Sequence, residues 1–291
     1  SEIAGELEAS GYTEDQVAAR EGRRPRRLVG GACDTGTMIP EVARLANLIA
    51  ESHRIMLVTG AGISTESGIP DYRGPAGVWQ TQRPVEFHDF VESEDRRIEY
   101  WDQKLAAAPS IEAAAPGPVH RAAVALEAAD KLEAVVTQNI DGLHSDAGTS
   151  RSILIEVHGT ATEASCLACG ERSPIRRHLD AFAETRVPPR CDACGGLLKP
   201  ATISFGQQLD PLTMARASQA ADRCDLVVAL GSTLSVYPAA EIPLRAARRG
   251  VPYAIINLGR TDHDGLASVS LRIEADVGAA FGAAVEDALG S

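Results

Sequence analysis

No apolar run in the 291-residue sequence approaches the ~20 residues needed to span a bilayer. The first residues carry Glu2, Glu6 and Glu8 and lack the apolar core of a secretory signal. No transit-peptide pattern is visible either, so a cytoplasmic chain with no membrane partner is expected. Positive charge is short as well. The net charge is −12 at pH 7, from 28 Lys+Arg against 40 Asp+Glu. That balance argues against direct nucleic-acid binding, which needs positive charge to displace counterions. One basic block, Arg20, Arg23, Arg24, Arg26 and Arg27 around Pro25, reads as a solvated linker rather than a site for an acidic partner. Internal repeats are lacking too. What is there is a globular composition, 44% hydrophobic and 23% charged, in a chain long enough for a sizeable core.

Residues 1–37 lack a strong period and read as a poorly ordered N-terminal extension. Pro40–Ser52 places Val42, Leu45, Ala46, Leu48 and Ile49 on one helical face. Ile55–Val58 follows as a short apolar run bounded by glycine, the pattern of a buried parallel strand. A helix over Pro118–Ala129, with Pro near its start, leads to a strand at Ala134–Thr137. Further strands are expected at Ile153–Val157, Leu226–Leu230 and Ala254–Asn257. Asp210-Pro211 forms an N-cap and first helical position for a helix to about Arg223. Strands alternating with helices imply a parallel α/β sheet of Rossmann type, which binds ligands at the carboxyl ends of its strands.

The loops at those ends are polar. Gly60-Ala61-Gly62-Ile63-Ser64-Thr65-Glu66-Ser67 follows the first strand, with glycines that let backbone N–H groups approach a phosphate. Thr65 stands where the dinucleotide fingerprint has its third glycine, so the glycines alone fit a nucleotide site or an ordinary tight turn. Asp71 and Arg73 bring opposite charges into the same loop. Thr137-Gln138-Asn139-Ile140-Asp141 follows the second strand; by itself it could be a polar turn. His158 ends the third strand, where a lone histidine is often structural. Gly231-Ser232-Thr233 and Asn257-Leu258-Gly259 end the fourth and fifth, with donors suited to phosphate, ribose or adenosine.

The interval from His158 to Phe205 breaks the α/β alternation. It holds Cys166-Leu-Ala-Cys169 and Cys191-Asp-Ala-Cys194, and four thiolates so spaced fit one structural zinc with no open coordination position. Two disulfides or a redox pair are the competing readings, disfavoured by the missing secretion signal and by the paired knuckles. Cys33 and Cys224 read as ordinary small residues, Cys224 packed near a helix end.

Together these motifs resemble the sirtuin family of NAD-dependent protein lysine deacylases, from about Pro40 to Asp287. The segments that carry the likeness are GAGISTESGIPDYR at 60–73, TQNIDGLH at 137–144, EVHG at 156–159, the Cys quartet, KPATISFG at 199–206, GSTLSVYPAA at 231–240 and INLG at 256–259. Tyr72, where many members have Phe, looks most like the branch that includes the mitochondrial class II sirtuins. The resemblance implies a catalytic region over 38–291. It would comprise a Rossmann-type part, a small zinc-ribbon and helical module at about 159–203, and a helical insertion at about 74–116.

NAD and an acyl-lysine protein substrate would meet between these parts. The Gly60–Gly62 backbone, Ala61 and Ser64 would cradle the pyrophosphate, with Asp71, Tyr72 and Arg73 in the cofactor loop. Gln138, Asn139, Ile140 and Asp141 would hold nicotinamide and ribose. Gly231, Ser232, Thr233, Asn257, Leu258, Gly259 and Ala275 would complete the cofactor site, and Ile203, Phe205, Gly206 and Val236 would bind peptide. Asn139 and His158 would be catalytic, His158 as general base on a ribose hydroxyl. The products would be nicotinamide, free lysine and O-acyl-ADP-ribose.

Three departures stand out. Thr202-Ile203-Ser204-Phe205-Gly206-Gln207 replaces Val-Val-x-Phe-Gly-Glu, which should weaken a preference for basic residues beside the target lysine. Tyr72 can hydrogen-bond where Phe cannot. Members that remove acidic acyl groups carry Tyr and, three residues on, Arg; here Tyr100 is followed by Gln103. Protein mono-ADP-ribosylation at the same NAD site is the alternative activity. A non-catalytic zinc-ribbon module and a hydride-transferring dehydrogenase fit the motifs less well.

Overall fold

A computed structural model describes residues 39–74 and 77–290. The extension expected over 1–37, with its arginine block and Cys33, lies outside these residues. Helix α1 (Pro40–Glu51) starts on its proline and buries Val42, Leu45, Ala46 and Ile49, the face that the sequence period marks. Strand β1 (Ile55–Thr59) is buried at all five positions, as a central strand covered on both faces must be. Two helices follow, α2 (Phe87–Glu92) and α3 (Glu94–Ala113), then α4 (Pro118–Ala128), β2 (Leu132–Thr137), α5 (Leu143–Ala147) and β3 (Leu154–Glu156).

The chain then leaves the large sheet. Strands β4 (Gly159–Cys166), β5 (Arg172–Pro174) and β6 (Leu198–Thr202) form a separate antiparallel sheet in the order β5-β4-β6, with helix α6 (Ile175–Thr185) between β5 and β6 in the chain. It returns through α7 (Pro211–Arg223), β7 (Leu226–Leu230), α8 (Glu241–Ala247), β8 (Tyr253–Ile256), β9 (Leu271–Ile273) and α9 (Val277–Leu289). The large sheet has the order β3-β2-β1-β7-β8-β9, with every pairing parallel. The strand order reverses between β1 and β7, and such a switch point opens a crevice at the strands' carboxyl ends.

Helices α2 and α3 and the cysteine-bearing sheet share one core. Phe90, Tyr100 and Trp101 of α2 and α3 are buried with Ala164, Cys166, Phe182, Cys191 and Leu198, and the Trp101 and Phe182 rings lie 6.1 Å apart. Cys224 is buried just past the end of α7. Among the described residues no helix is long and apolar enough to cross a membrane.

Candidate active site

The carboxyl ends of β1, β2, β7 and β8 open into one cavity of about 1250 Å³. Its floor is the switch point. The Gly60 N–H donates to the Leu230 carbonyl (3.0 Å) and the Gly62 N–H to the Gly231 carbonyl (2.8 Å). These two glycines therefore spend their own donors on the β7 loop instead of pointing them at a ligand. What they contribute is clearance. A Cβ at Gly60 would lie 2.7 Å from Ser232 Cβ, and one at Gly62 2.8 Å from Gly231 Cα. Gly62→Ala is expected to cost about 1–3 kcal/mol by overpacking and to weaken ADP-ribose binding. Thermal melting with and without ADP-ribose checks this, and an unchanged melt would contradict the tight approach.

Behind the cavity wall a polar chain fixes the segment after β2. The Asn139 amide donates to Ser64 Oγ at 3.1 Å, and Ser64 donates to the Asp141 carboxylate at 2.8 Å. The other Asp141 oxygen accepts from the Leu143 N–H at 3.0 Å. Thr59 donates to Thr137 Oγ1, which accepts the Asn139 N–H in turn. Gln138 reaches across the floor to Ser232 Oγ at 3.0 Å.

His158 faces the cavity from the end of β3. Its Nδ1 lies 3.1 Å from the Gln138 carbonyl, and a carbonyl only accepts, so Nδ1 carries the proton and Nε2 keeps a lone pair. Burial lowers its pKa, as does Arg73 nearby, although the Gln138 carbonyl opposes both. Arg73 stacks over Trp79 at 4.3 Å. The Trp79 ring in turn lies 5.1 Å from Tyr72 and 5.2 Å from Phe205. Burial and the Asp141 charge push the Tyr72 phenol up to about 12, so it stays a neutral hydroxyl.

The opposite wall is the segment after β6. Ile203 donates its N–H to the His158 carbonyl at 2.8 Å, which ties that wall to the histidine. The Gln207 side-chain oxygen folds back onto the Ser204 N–H at 3.1 Å. The Tyr100 hydroxyl lies 3.0 Å from Thr202 Oγ1 and accepts from Ser204 Oγ at 3.4 Å. Burial alone would raise the Tyr100 phenol. Lys104 and Lys199, with the Ser204 and Thr202 hydrogen bonds, outweigh it and bring the phenol down to about 7.

Every expected cofactor residue lines the cavity except Ser64, Asp141 and Ala275. Ser64 and Asp141 stand one layer back, bonded to each other, with Ser64 also accepting from Asn139. Ala275 is flanked by lining residues, Glu274 and Asp276, but does not line the cavity itself. His158, Ile203, Phe205, Gly206 and Val236 all line it. Trp79 was not expected there; an aromatic in a glycine-rich loop was the available signal.

The four cysteines meet outside the cavity. Their Sγ atoms lie within 4.8 Å of one another, with Cys166–Cys194 at 3.5 Å and Cys169–Cys191 at 3.7 Å. A tetrahedron with zinc–sulfur bonds of about 2.3 Å has edges of about 3.8 Å. The four thiols fit that ion, and none is in a disulfide.

The family model described as the Sir2 family matches residues 60–238. The chain belongs to the Sir2 family. It is 41% identical over 241 residues to the NAD-dependent protein deacetylase of Rhodopseudomonas palustris, covering 83% of this chain and 94% of that one. It is 42% identical over 244 residues to NAD-dependent protein deacetylase 1 of Bradyrhizobium diazoefficiens, with the same coverage. A solved Sir2 complex with a p53 peptide and NAD+ superposes with a TM-score of 0.75 at 34% identity, covering 85% of this chain and 98% of that chain. Sir2 membership accounts for the six-stranded parallel sheet and for the cysteine cluster set apart from it.

Proposed function

We propose that this Sir2-family chain is an NAD-dependent protein lysine deacylase, with a deacetylase as its most direct form. Its relatives carry the deacetylase name. The observation that carries the reading is His158, held by Gln138 with Nε2 free toward the same cavity that Asn139 lines. The glycine floor, where a side chain would collide, suits a dinucleotide's close approach. NAD bound there supplies an electrophilic ribose carbon for the acyl oxygen and nicotinamide as leaving group. Asn139, braced by Ser64 and Asp141, orients that end of the site. Tyr72 and Trp79 cover it and exclude water, and His158 Nε2 takes a ribose hydroxyl proton.

The catalytic region of this reading spans 38–291, with the small module at 159–203 and the helical insertion at 74–116. One structural zinc is held by Cys166, Cys169, Cys191 and Cys194, and the substrates are acylated proteins. Incubation with NAD and an acetylated peptide should release nicotinamide and O-acetyl-ADP-ribose, followed by mass spectrometry. ADP-ribosylated protein without deacetylated peptide would favour the transferase activity instead.

Neutral acyl groups are expected to be preferred. The Gln103 amide is engaged by the Arg83 carbonyl at 3.1 Å and the Glu99 carboxylate at 3.4 Å. A carboxylated acyl group would meet Lys104, whose Nζ stands 4.9 Å from the Tyr100 ring centroid. That is a point charge without the planar fork that grips a carboxylate from two sides. Comparing acetyl, butyryl and succinyl forms of one peptide by kcat/KM tests this. A succinyl peptide turned over best would assign Lys104 as its partner and reject the neutral preference.

A further inference from the structure

The loop Asn257–Gly259 lines the cavity, but its shape is set from underneath by a residue that does not. Arg272, in the middle of the edge strand β9, donates Nη1 to the Asn257 carbonyl at 3.0 Å and to the Ile273 carbonyl. Its Nη2 donates to the Gly259 carbonyl. Its Nε donates to Asp264 Oδ1 at 2.8 Å. Asp264 is held in turn by the Thr261 N–H at 3.0 Å and the Thr261 hydroxyl at 2.7 Å. One guanidinium thus ties both ends of the cavity-lining turn to the segment that follows it. Gly259, at φ +92°, lets the chain reverse over the guanidinium. The same segment is pinned to the next loop, since Asp262 donates its N–H to the Thr233 carbonyl at 2.9 Å.

We infer that Arg272 is a positioning residue for the adenosine end of the cofactor, holding the Asn257–Gly259 turn in its receptive form from outside the cavity. The inference rests on reading this cavity as the NAD site. Removing the guanidinium leaves the Asn257 and Gly259 carbonyls without these partners, and the turn relaxes. Charge-assisted bonds of this kind are among the stronger ones in proteins. The nicotinamide end, built on β2 and β3, shares none of these bonds. The effect should therefore fall on cofactor affinity and spare the chemical step.

The test uses the full chain, ADP-ribose as probe, and steady-state kinetics with an acetylated peptide. In Arg272→Met the Kd for ADP-ribose and the KM for NAD should rise at least about tenfold, with kcat and peptide KM unchanged, the mark of lost uniform binding. Arg272→Lys keeps a charge for Asp264 but has no fork to reach both carbonyls, so its affinity should fall between the two. Arg249 serves as the control. It also caps backbone carbonyls, those of Ala221 and Cys224, but neither of these residues lines the cavity, and Arg249→Met should leave both affinities at wild-type values. Wild-type affinity in both Arg272 variants overturns the inference, as does an equal loss of kcat and both KM values. Should the methionine variant fail to fold, the lysine variant decides alone. Wild-type protein that binds no ADP-ribose rejects the cofactor reading itself, a result distinct from unchanged affinity in the variants.

Discussion

His158→Ala is expected to lower kcat at least ~10²-fold, the usual scale for a removed general base. NAD affinity should change far less. The imidazole is anchored through Nδ1 to the Gln138 carbonyl, and in the proposed reaction it acts through Nε2 on a hydroxyl already bound. The pH profile follows from the same environment. Catalysis needs the neutral ring, and burial with Arg73 holds the His158 pKa below its ordinary value. The base form therefore persists through neutral pH, and the rate should fall only as pH drops through a value below about 6.5. Arg73→Gln removes one lowering influence and should move that acid limb upward. Equal losses of NAD affinity and rate in His158→Ala would make the residue structural.

The second large effect concerns the cysteines. Metal analysis should find about one zinc per chain. Cys191→Ala should abolish it and lower the melting temperature on the order of 10 °C. Cys166 and Cys191 are buried in the core that also contains Trp101 and Phe182, so losing the ion loosens the wall that carries Ile203 and Phe205. The large sheet has a separate core. ADP-ribose binding should therefore survive in Cys191→Ala while peptide turnover collapses. Zinc-free protein that stays folded and active would reject a structural metal.

Much of this arrangement is legible in the sequence because its signals are local. Five buried strands announce themselves as short apolar runs, and β1, β2 and β7 match within a residue or two at their cavity-facing ends. Pro40, Pro118 and Pro211 mark the starts of three helices. The four cysteines specify their own meeting point. Other features depend on long-range packing and leave no local trace. Strand β9 has three residues, one of them Arg272, which is too short for a period. Helix α9, Val-Gly-Ala-Ala-Phe-Gly-Ala-Ala-Val, is small or apolar nearly all round, so no stripe stands out. The glycine turn is visible as a motif, yet the spending of its donors on Leu230 and Gly231 depends on a strand some 170 residues later. For the same reason Ser64 and Asp141 are visible as polar loop residues, while the bond that joins them and the one from Asn139 to Ser64 depend on the fold.

That distant pairing has a consequence for the newborn chain. β1 takes its second neighbour only when Leu226 meets Ile55, after the whole cysteine-bearing sheet has been made. At ~5–20 residues per second, β1 waits on the order of ten seconds with one edge unpaired during synthesis. The cysteine module, complete before β7 exists, can take up its ion while still tethered to the ribosome. Chains halted before Leu226 are expected to hold zinc while β1 remains open to protease, and a protected β1 in such chains would mean that another segment shields it first.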